Sequence, residues 1–289
     1  MKRILITGAN SYIGSSFKIW LNQFKDEYEI DTLDMKNKYW MEKDFSGYDS
    51  IIHLAAIVHT KKADKELYKK ININLAFEVA KKAKLEKVKQ FIFFSTMSVY
   101  GLNTGRINEF TECKPTTPYG KSKYEAERKI STLIDNEFSV VIVRPPIVYG
   151  ANSKGNYKRL AQIAKKVIFF PNIKNERSMI HIDNLNNFLK LVIDENISGV
   201  LFPQNNDYVC TSEMVYLISK VNKKRIFLFR GFNSFIKILL PFSSVLQKLF
   251  GNLTYDKNIS KLINKDGEVL DYVVQSFEDS IMSSEVKYE

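Results

Sequence analysis

Thr7-Gly8-Ala9-Asn10-Ser11-Tyr12-Ile13-Gly14 decides the fold. It follows the short apolar run Arg3-Ile4-Leu5-Ile6-Thr7 and opens a helical pattern that reaches Phe24. Strand, glycine turn and helix in that order let a backbone approach a pyrophosphate, which then rests on the helix amino terminus. Gly8 and Gly14 take the outer glycine positions, and Asn10, Tyr12 and Ile13 line the same turn. Ser11 stands where a middle glycine is expected. Its hydroxyl can bond a phosphate, although its Cβ takes space.

Outward from this turn, strand and helix signals alternate. Glu29–Leu33, Ser50–Leu54, Gln90–Phe94 and Ser139–Val143 are continuous apolar runs. Between them lie a long helical pattern, Ala63–Leu85, and a second one, Tyr119–Asn136. Continuous apolar strands alternating with helices predict an α/β fold with a doubly wound parallel sheet covered on both faces. Ligands then bind at the carboxyl ends of the strands. After Gly150 the pattern loosens into short elements. The expected division is therefore a dinucleotide-binding domain, 1–150, and a small mixed α/β substrate lobe, 151–289, interleaved with the first. The last ten or so residues, around Ser283-Ser284-Glu285-Val286-Lys287, are expected to fray.

Asp34 ends the second strand, 20 residues beyond Gly14. A carboxylate there accepts from the ribose hydroxyls and repels a 2′-phosphate, which favours NAD over NADP. Lys36 and Lys38 lie close enough to soften that preference. Tyr119 and Lys123 are four apart, on one helical face. A phenol with a pKa near ~10 is a poor base at neutral pH, but a neighbouring ammonium and a positive nicotinamide ring stabilise the phenolate. Thr96, just past the strand Gln90–Phe94, offers a hydroxyl to the same substrate oxygen.

Composition narrows the partners. The formal charge is +11, from 43 basic and 32 acidic residues, and such an excess favours anions. No nucleic-acid motif accompanies it, so anionic small molecules and an acidic membrane face remain. Lys61, Lys62, Lys65, Lys69, Lys70, Lys81, Lys82, Lys84, Lys87 and Lys89 crowd one predicted helix and read as a solvated face. Two cysteines, Cys113 and Cys210, make no disulfide framework, so a reducing, cytoplasmic setting is expected. His53, His59 and His181 show no metal-ligand spacing. His53 reads as a satisfied core histidine, and Asp183 as the cap of the helix after His181. The start, MKRILITGA, has too short an apolar stretch for a signal peptide. No run of 18 apolar residues exists, so no spanning helix is expected. The apolar stretch from Phe232 to Phe250 is broken by Lys237, Pro241 and Lys248 and reads as a packed helix pair rather than a membrane anchor.

The set TGANSYIG, DSIIHLAA, FFSTMSVYG, YGKSK, VRPPIVYG and RSMIHID, in this order, resembles the extended short-chain dehydrogenase/reductase family over about residues 1–220. The likeness is to its nucleotide-sugar epimerases, dehydratases and reductases, nearest the UDP-glucose 4-epimerase kind. It implies a Rossmann-type fold with a sugar-nucleotide lobe. It also implies Thr96 as hydroxyl donor, Tyr119 as acid/base and Lys123 as the ribose-binding lysine. Asp44-Phe45 matches the pair that contacts adenine, and Leu54, Ala55 and Ala56 the backbone that passes the cofactor. Asn72 and Pro146 match further cofactor positions, Met97 and Ser98 substrate positions beside Thr96, and Arg177 and Asn156 the grip on the nucleotide diphosphate. A homodimer through a helix pair is the implied assembly.

There are departures. Dehydratases of the family carry Thr-Asp-Glu where this chain has Thr96-Met97-Ser98, so the carboxyl groups for 4,6-elimination are missing. Ile147 stands where many members have Asn. A second diphosphate arginine is not recognisable, with Lys261 or Lys265 as weak substitutes. The expected function is NAD-dependent epimerisation at C4 of a UDP-hexose or UDP-N-acetylhexosamine through a 4-keto sugar, for surface polysaccharide synthesis. A 4-keto-sugar reductase shares every motif, and a non-catalytic dinucleotide-binding regulator stays open as a third reading.

Overall fold

The computed structural model describes residues 1–58 and 65–285. His59, Lys61, Lys62 and Ala63 lie outside the described residues. Six parallel strands form the central sheet: β1 (Lys2–Thr7), β2 (Tyr28–Leu33), β3 (Ser50–His53), β4 (Gln90–Phe94), β5 (Ser139–Val143) and β6 (Gly199–Leu201). Their order is β2-β1-β3-β4-β5-β6. The chain moves one way from β1 to β2 and the other way from β3 onward. The crevice between β1 and β3, paired Ile4↔Ser50 to Thr7↔His53, is therefore the topological switch point where a doubly wound sheet binds its ligand.

Strand alternation sorts the core into two layers. Ile4, Ile6, Ile52, Ile92 and Val141 point to one face, where Phe17 of α1 (Tyr12–Leu21) and Leu185, Phe188 and Leu189 also pack. Leu5, Ile51, Phe91, Phe93 and Val140 point to the other. That face is covered by a composite helix: α2 (Lys65–Tyr68), a π-helical segment Lys69–Leu75, and α3 (Ala76–Leu85). Beside it lies α4 (Pro118–Ser131). Both predicted helices exist, but the first contains a π segment and the second stops five residues before Asn136.

Beyond β5 come α5 (Asn156–Ala164), α6 (Ile182–Asp194), which covers the α1 face, and α7 (Thr211–Val221). β6 belongs to the central sheet, so the second half of the chain is interleaved with the first. α8 (Asn233–Leu239) and α9 (Ser244–Phe250), joined through the short turn Leu240–Phe242, form a hairpin on a third core cluster. The expected frayed end is instead ordered to Glu285, in α10 (Phe277–Glu285). Ser280 bonds the Tyr149 hydroxyl at 2.7 Å, and Glu285 accepts from Tyr157 at 2.8 Å. Val286 and Lys287 lie outside the described residues.

Candidate active site

Gly8 has φ +89°, and a Cβ there would stand 2.8 Å from the Ala55 nitrogen. Only glycine lets the turn after β1 close on the backbone after β3. The Gly8 N–H donates to Leu33 O at 3.0 Å, and the Leu54 N–H to Thr7 O at 3.0 Å. Gly8 and the Leu54–Ala55 backbone thereby meet at the switch point. The Ser11 hydroxyl, expected from sequence to bond a phosphate, also serves as a helix cap, which occupies its oxygen as acceptor and leaves the O–H to donate. Its Oγ caps α1, accepting from Gly14 N at 3.1 Å. The Ser11 N–H itself donates to Gly8 O. The N–H groups of Tyr12 and Ile13 remain in the first helical turn, where helix ends hold anions. Asp34 is exposed just past β2, its Oδ1 accepting from Lys36 N at 3.0 Å.

Asp44 and Phe45 behave differently from each other. Asp44 is exposed, and the Ser46 N–H holds its carboxyl below the usual range. The Phe45 ring is fully buried in the second core layer, and its N–H is taken by Glu86 at 2.6 Å. The ring therefore supports the sheet and offers no face to a base. Pro146 is buried behind β5.

The residues expected to form the acid/base group lie where α4 meets the loop after β4. Thr117 caps α4, accepting from Gly120 N at 3.1 Å, and Pro118 takes the first helical position, where its missing N–H costs nothing. A Cβ on Gly120 would stand 2.7 Å from Ser98 O, so a glycine is what lets this helix lie against the Thr96-Met97-Ser98 turn. Thr96 Oγ1 caps that turn, accepting from Ser98 N at 3.1 Å and donating to Ser98 Oγ at 3.2 Å. Tyr119 is half-buried at the start of α4. One turn on, Lys123 is 2% exposed with its Nζ 4.2 Å from the Phe93 ring centre.

Burial pushes the phenol of Tyr119 up to about 12, with the Tyr68 phenol adding to the rise. Burial likewise lowers Lys123 to about 7, against a smaller opposing pull from Glu127. Desolvation dominates at both groups.

Two residues around this group were read differently from sequence. Asn72, placed among the cofactor contacts, has its side chain on protein atoms. It accepts from Ile57 N at 2.9 Å and donates to Ile57 O and Ser122 Oγ, both at 3.0 Å. It ties the loop after β3 to the Tyr119 helix, and its partner Ser122 had no sequence signal beyond its place inside YGKSK. His53 is buried as expected but only half satisfied. Its Nδ1 meets Thr7 Oγ1 at 2.8 Å, while its Nε2 has no partner among the described residues. Burial first, and the Lys123 charge second, lower it to about 3, so it is neutral.

In the second half, Arg177 is 7% exposed and no surface residue. Its Nη1 donates to Gln247 O at 3.1 Å and Gly251 O at 2.9 Å, carbonyls at the end of α9. Its Nε is buried without a partner, and it makes no ion pair among the described residues. Burial lowers its pKa to about 10. Asn156 opens α5 and is exposed. Helix α6 is capped by His181 rather than by Asp183: its Nδ1 accepts from the Asp183 N–H at 3.4 Å, because the helix starts one residue before the aspartate.

Known proteins resemble this chain in sequence and in fold. A UDP-glucose 4-epimerase of Vibrio cholerae is 31% identical over 244 residues, covering 74% of each chain. An N-acetyl-α-D-glucosaminyl-diphospho-ditrans,octacis-undecaprenol 4-epimerase of Escherichia coli O157:H7 is 27% identical over 68% of this chain and 64% of its own. The fold matches that of a Bacillus cereus UDP-glucuronic acid 4-epimerase solved with NAD, at a TM-score of 0.73 and 21% identity, over 98% of this chain and 97% of that one. The family model for the NAD dependent epimerase/dehydratase family matches residues 4–201. With more than half of its 289 residues under that model and the glycine cradle built at the switch point, the chain belongs to the NAD dependent epimerase/dehydratase family, and its cofactor is NAD.

Proposed function

We propose that the chain epimerises a nucleotide-activated sugar, a UDP-hexose or UDP-N-acetylhexosamine, at C4 in surface polysaccharide synthesis. What supports this reading is that α4, which carries Tyr119 and Lys123, lies against the Thr96-Met97-Ser98 turn just past β4, at the carboxyl end of the sheet. The Gly8 turn and the first turn of α1 would hold NAD, which would supply a reversible hydride acceptor for C4 and a positive ring that favours the phenolate. Tyr119 accepts the C4 hydroxyl proton as the hydride leaves and gives it back as the hydride returns. Lys123, held against Phe93, gains charge when an anionic partner stabilises its ammonium and then favours the phenolate. Thr96 orients the reacting oxygen. Arg177 suits the substrate diphosphate, since a buried guanidinium with an open Nε lacks its anion. In this reading residues 1–150 hold the cofactor and 151–289 the sugar nucleotide, in a homodimer joined by a helix pair.

A second reading concerns the carrier. The E. coli relative is named for a sugar on diphospho-undecaprenol, and Arg177 is bonded to the end of the α8–α9 hairpin. A polyprenyl diphosphate would lay its chain along that side.

The test is incubation with UDP-glucose, UDP-N-acetylglucosamine and the polyprenyl-linked sugar, without added cofactor. An epimerase interconverts the C4 epimers of one of them. A reductase needs a keto sugar and reduced cofactor, and a regulator does neither. Tyr119→Phe should keep its fold and lose about 10²- to 10⁴-fold of turnover. Activity within about threefold of the parent would refute the assignment of Tyr119.

A further inference from the structure

The hairpin α8–α9 has an outer side that the active site does not use. Its inner side, Ile236, Leu240, Leu246 and Leu249, packs on the third core cluster. Phe235 and Ile238 on α8, Phe242 in the turn and Val245 on α9 are all exposed, with Phe242 at 86%. The patch continues onto the parallel pair Phe169–Pro171 and Phe227–Phe229. There the exposed rings of Phe169 and Phe227 lie 5.8 Å apart, and Phe229 and Phe232 5.5 Å apart. An apolar patch of this extent, unpartnered, marks an interaction surface.

Charge says what covers it. Lys223, Lys224, Arg225, Arg230, Lys237 and Lys248 are the charged residues between Lys223 and Phe250, and no Asp or Glu occurs there. All six are exposed, and none makes an ion pair among the described residues. A second copy of the chain would bring two such cationic faces together with nothing to neutralise them. A surface that is at once apolar and anionic satisfies both halves of the patch. No helix among the described residues is long and apolar enough to cross a membrane, so the hairpin would lie in the interface plane, rings inserted and cations among headgroups.

We propose that this face docks the enzyme on an anionic phospholipid bilayer. Docking there sets the carbonyls that hold Arg177 next to the membrane. It goes beyond the proposed epimerase activity and stands whichever sugar is turned over.

Sedimentation with vesicles tests it. The full chain should pellet with phosphatidylcholine vesicles containing phosphatidylglycerol, less as salt rises, and not with phosphatidylcholine alone. Phe235→Ser with Phe242→Ser should weaken this about tenfold or more, with UDP affinity unchanged. Arg230→Glu with Lys237→Glu, which leaves every apolar contact in place, should weaken it about fivefold or more per charge. The proposal fails if the parent chain ignores anionic vesicles, or if the charge-reversed variant binds them as well as the parent. It also fails if light scattering shows a lipid-free dimer that Phe242→Ser splits, since the face would then join two copies.

Discussion

Two guanidinium groups, one partly buried and one buried, in the two halves of the molecule, are treated in opposite ways. Arg144, just past β5, is closed. Its Nε and Nη2 grip both oxygens of Glu127 at 3.1 and 2.6 Å, and its Nη1 donates to the Tyr100 hydroxyl at 2.9 Å. Burial alone would lower its pKa, but the Glu127 bonds and charge carry it well above the ordinary value. Arg177 is more deeply buried yet has only two carbonyls, an open Nε and a pKa that burial has lowered. A cation that serves the fold is given its counter-charge by the fold. A cation left without one is open to an anion that arrives later, the role proposed for Arg177.

Breaking the closed pair should have the largest effect. Glu127→Gln leaves Arg144 buried without its counter-charge and should cost about 3–5 kcal/mol in denaturant unfolding. A loss under about 1 kcal/mol would mean that water reaches Arg144 and that the contrast with Arg177 is one of degree.

Lys123 sharpens the comparison as a third buried cation. Its folded pKa, about 7, lies below that of a free lysine, so the unfolded chain binds more protons between those values. Stability should therefore rise with pH through that window, with the burial cost fully present below about pH 7. Against Lys123→Met, the parent should gain about 2 kcal/mol between pH 7 and 9. Parallel curves would show that Lys123 keeps its charge in the fold.

Arg177→Ala should weaken UDP binding by about 10- to 150-fold, roughly 1.5–3 kcal/mol, in calorimetry. NAD affinity should stay nearly unchanged, and Arg177→Lys should recover part of the loss, since a point charge lacks the planar fork. If UDP binds Arg177→Ala as tightly as the parent, the second half of the chain is not the diphosphate lobe.

The two halves also differ in how much could be read in advance. The strands β1 to β5 and the Gly8 turn were legible because each is decided locally, by a continuous apolar run or by a backbone shape that one residue type permits. Thr96, Tyr119 and Lys123 were legible as residue types. Their protonation was not, because desolvation depends on Phe93 and Tyr68, brought in from other segments. The π segment at Lys69–Leu75 breaks no periodicity visible in sequence. In the second half, the burial of Arg177 depends on the end of a hairpin some 70 residues away. The cap at His181 hinged on a one-residue shift of the helix start, which apolar spacing does not resolve.

The unpaired state of Arg177 also bears on how long the protein lasts. An anion that binds the folded lobe and not the unfolded chain adds to stability in proportion to the logarithm of its concentration, about 2.7 kcal/mol at a hundred times its dissociation constant. A cell poor in the diphosphate ligand would hold this protein in its less stable form, more open to proteolysis. One guanidinium would thus make the abundance of the enzyme follow the supply of what it binds.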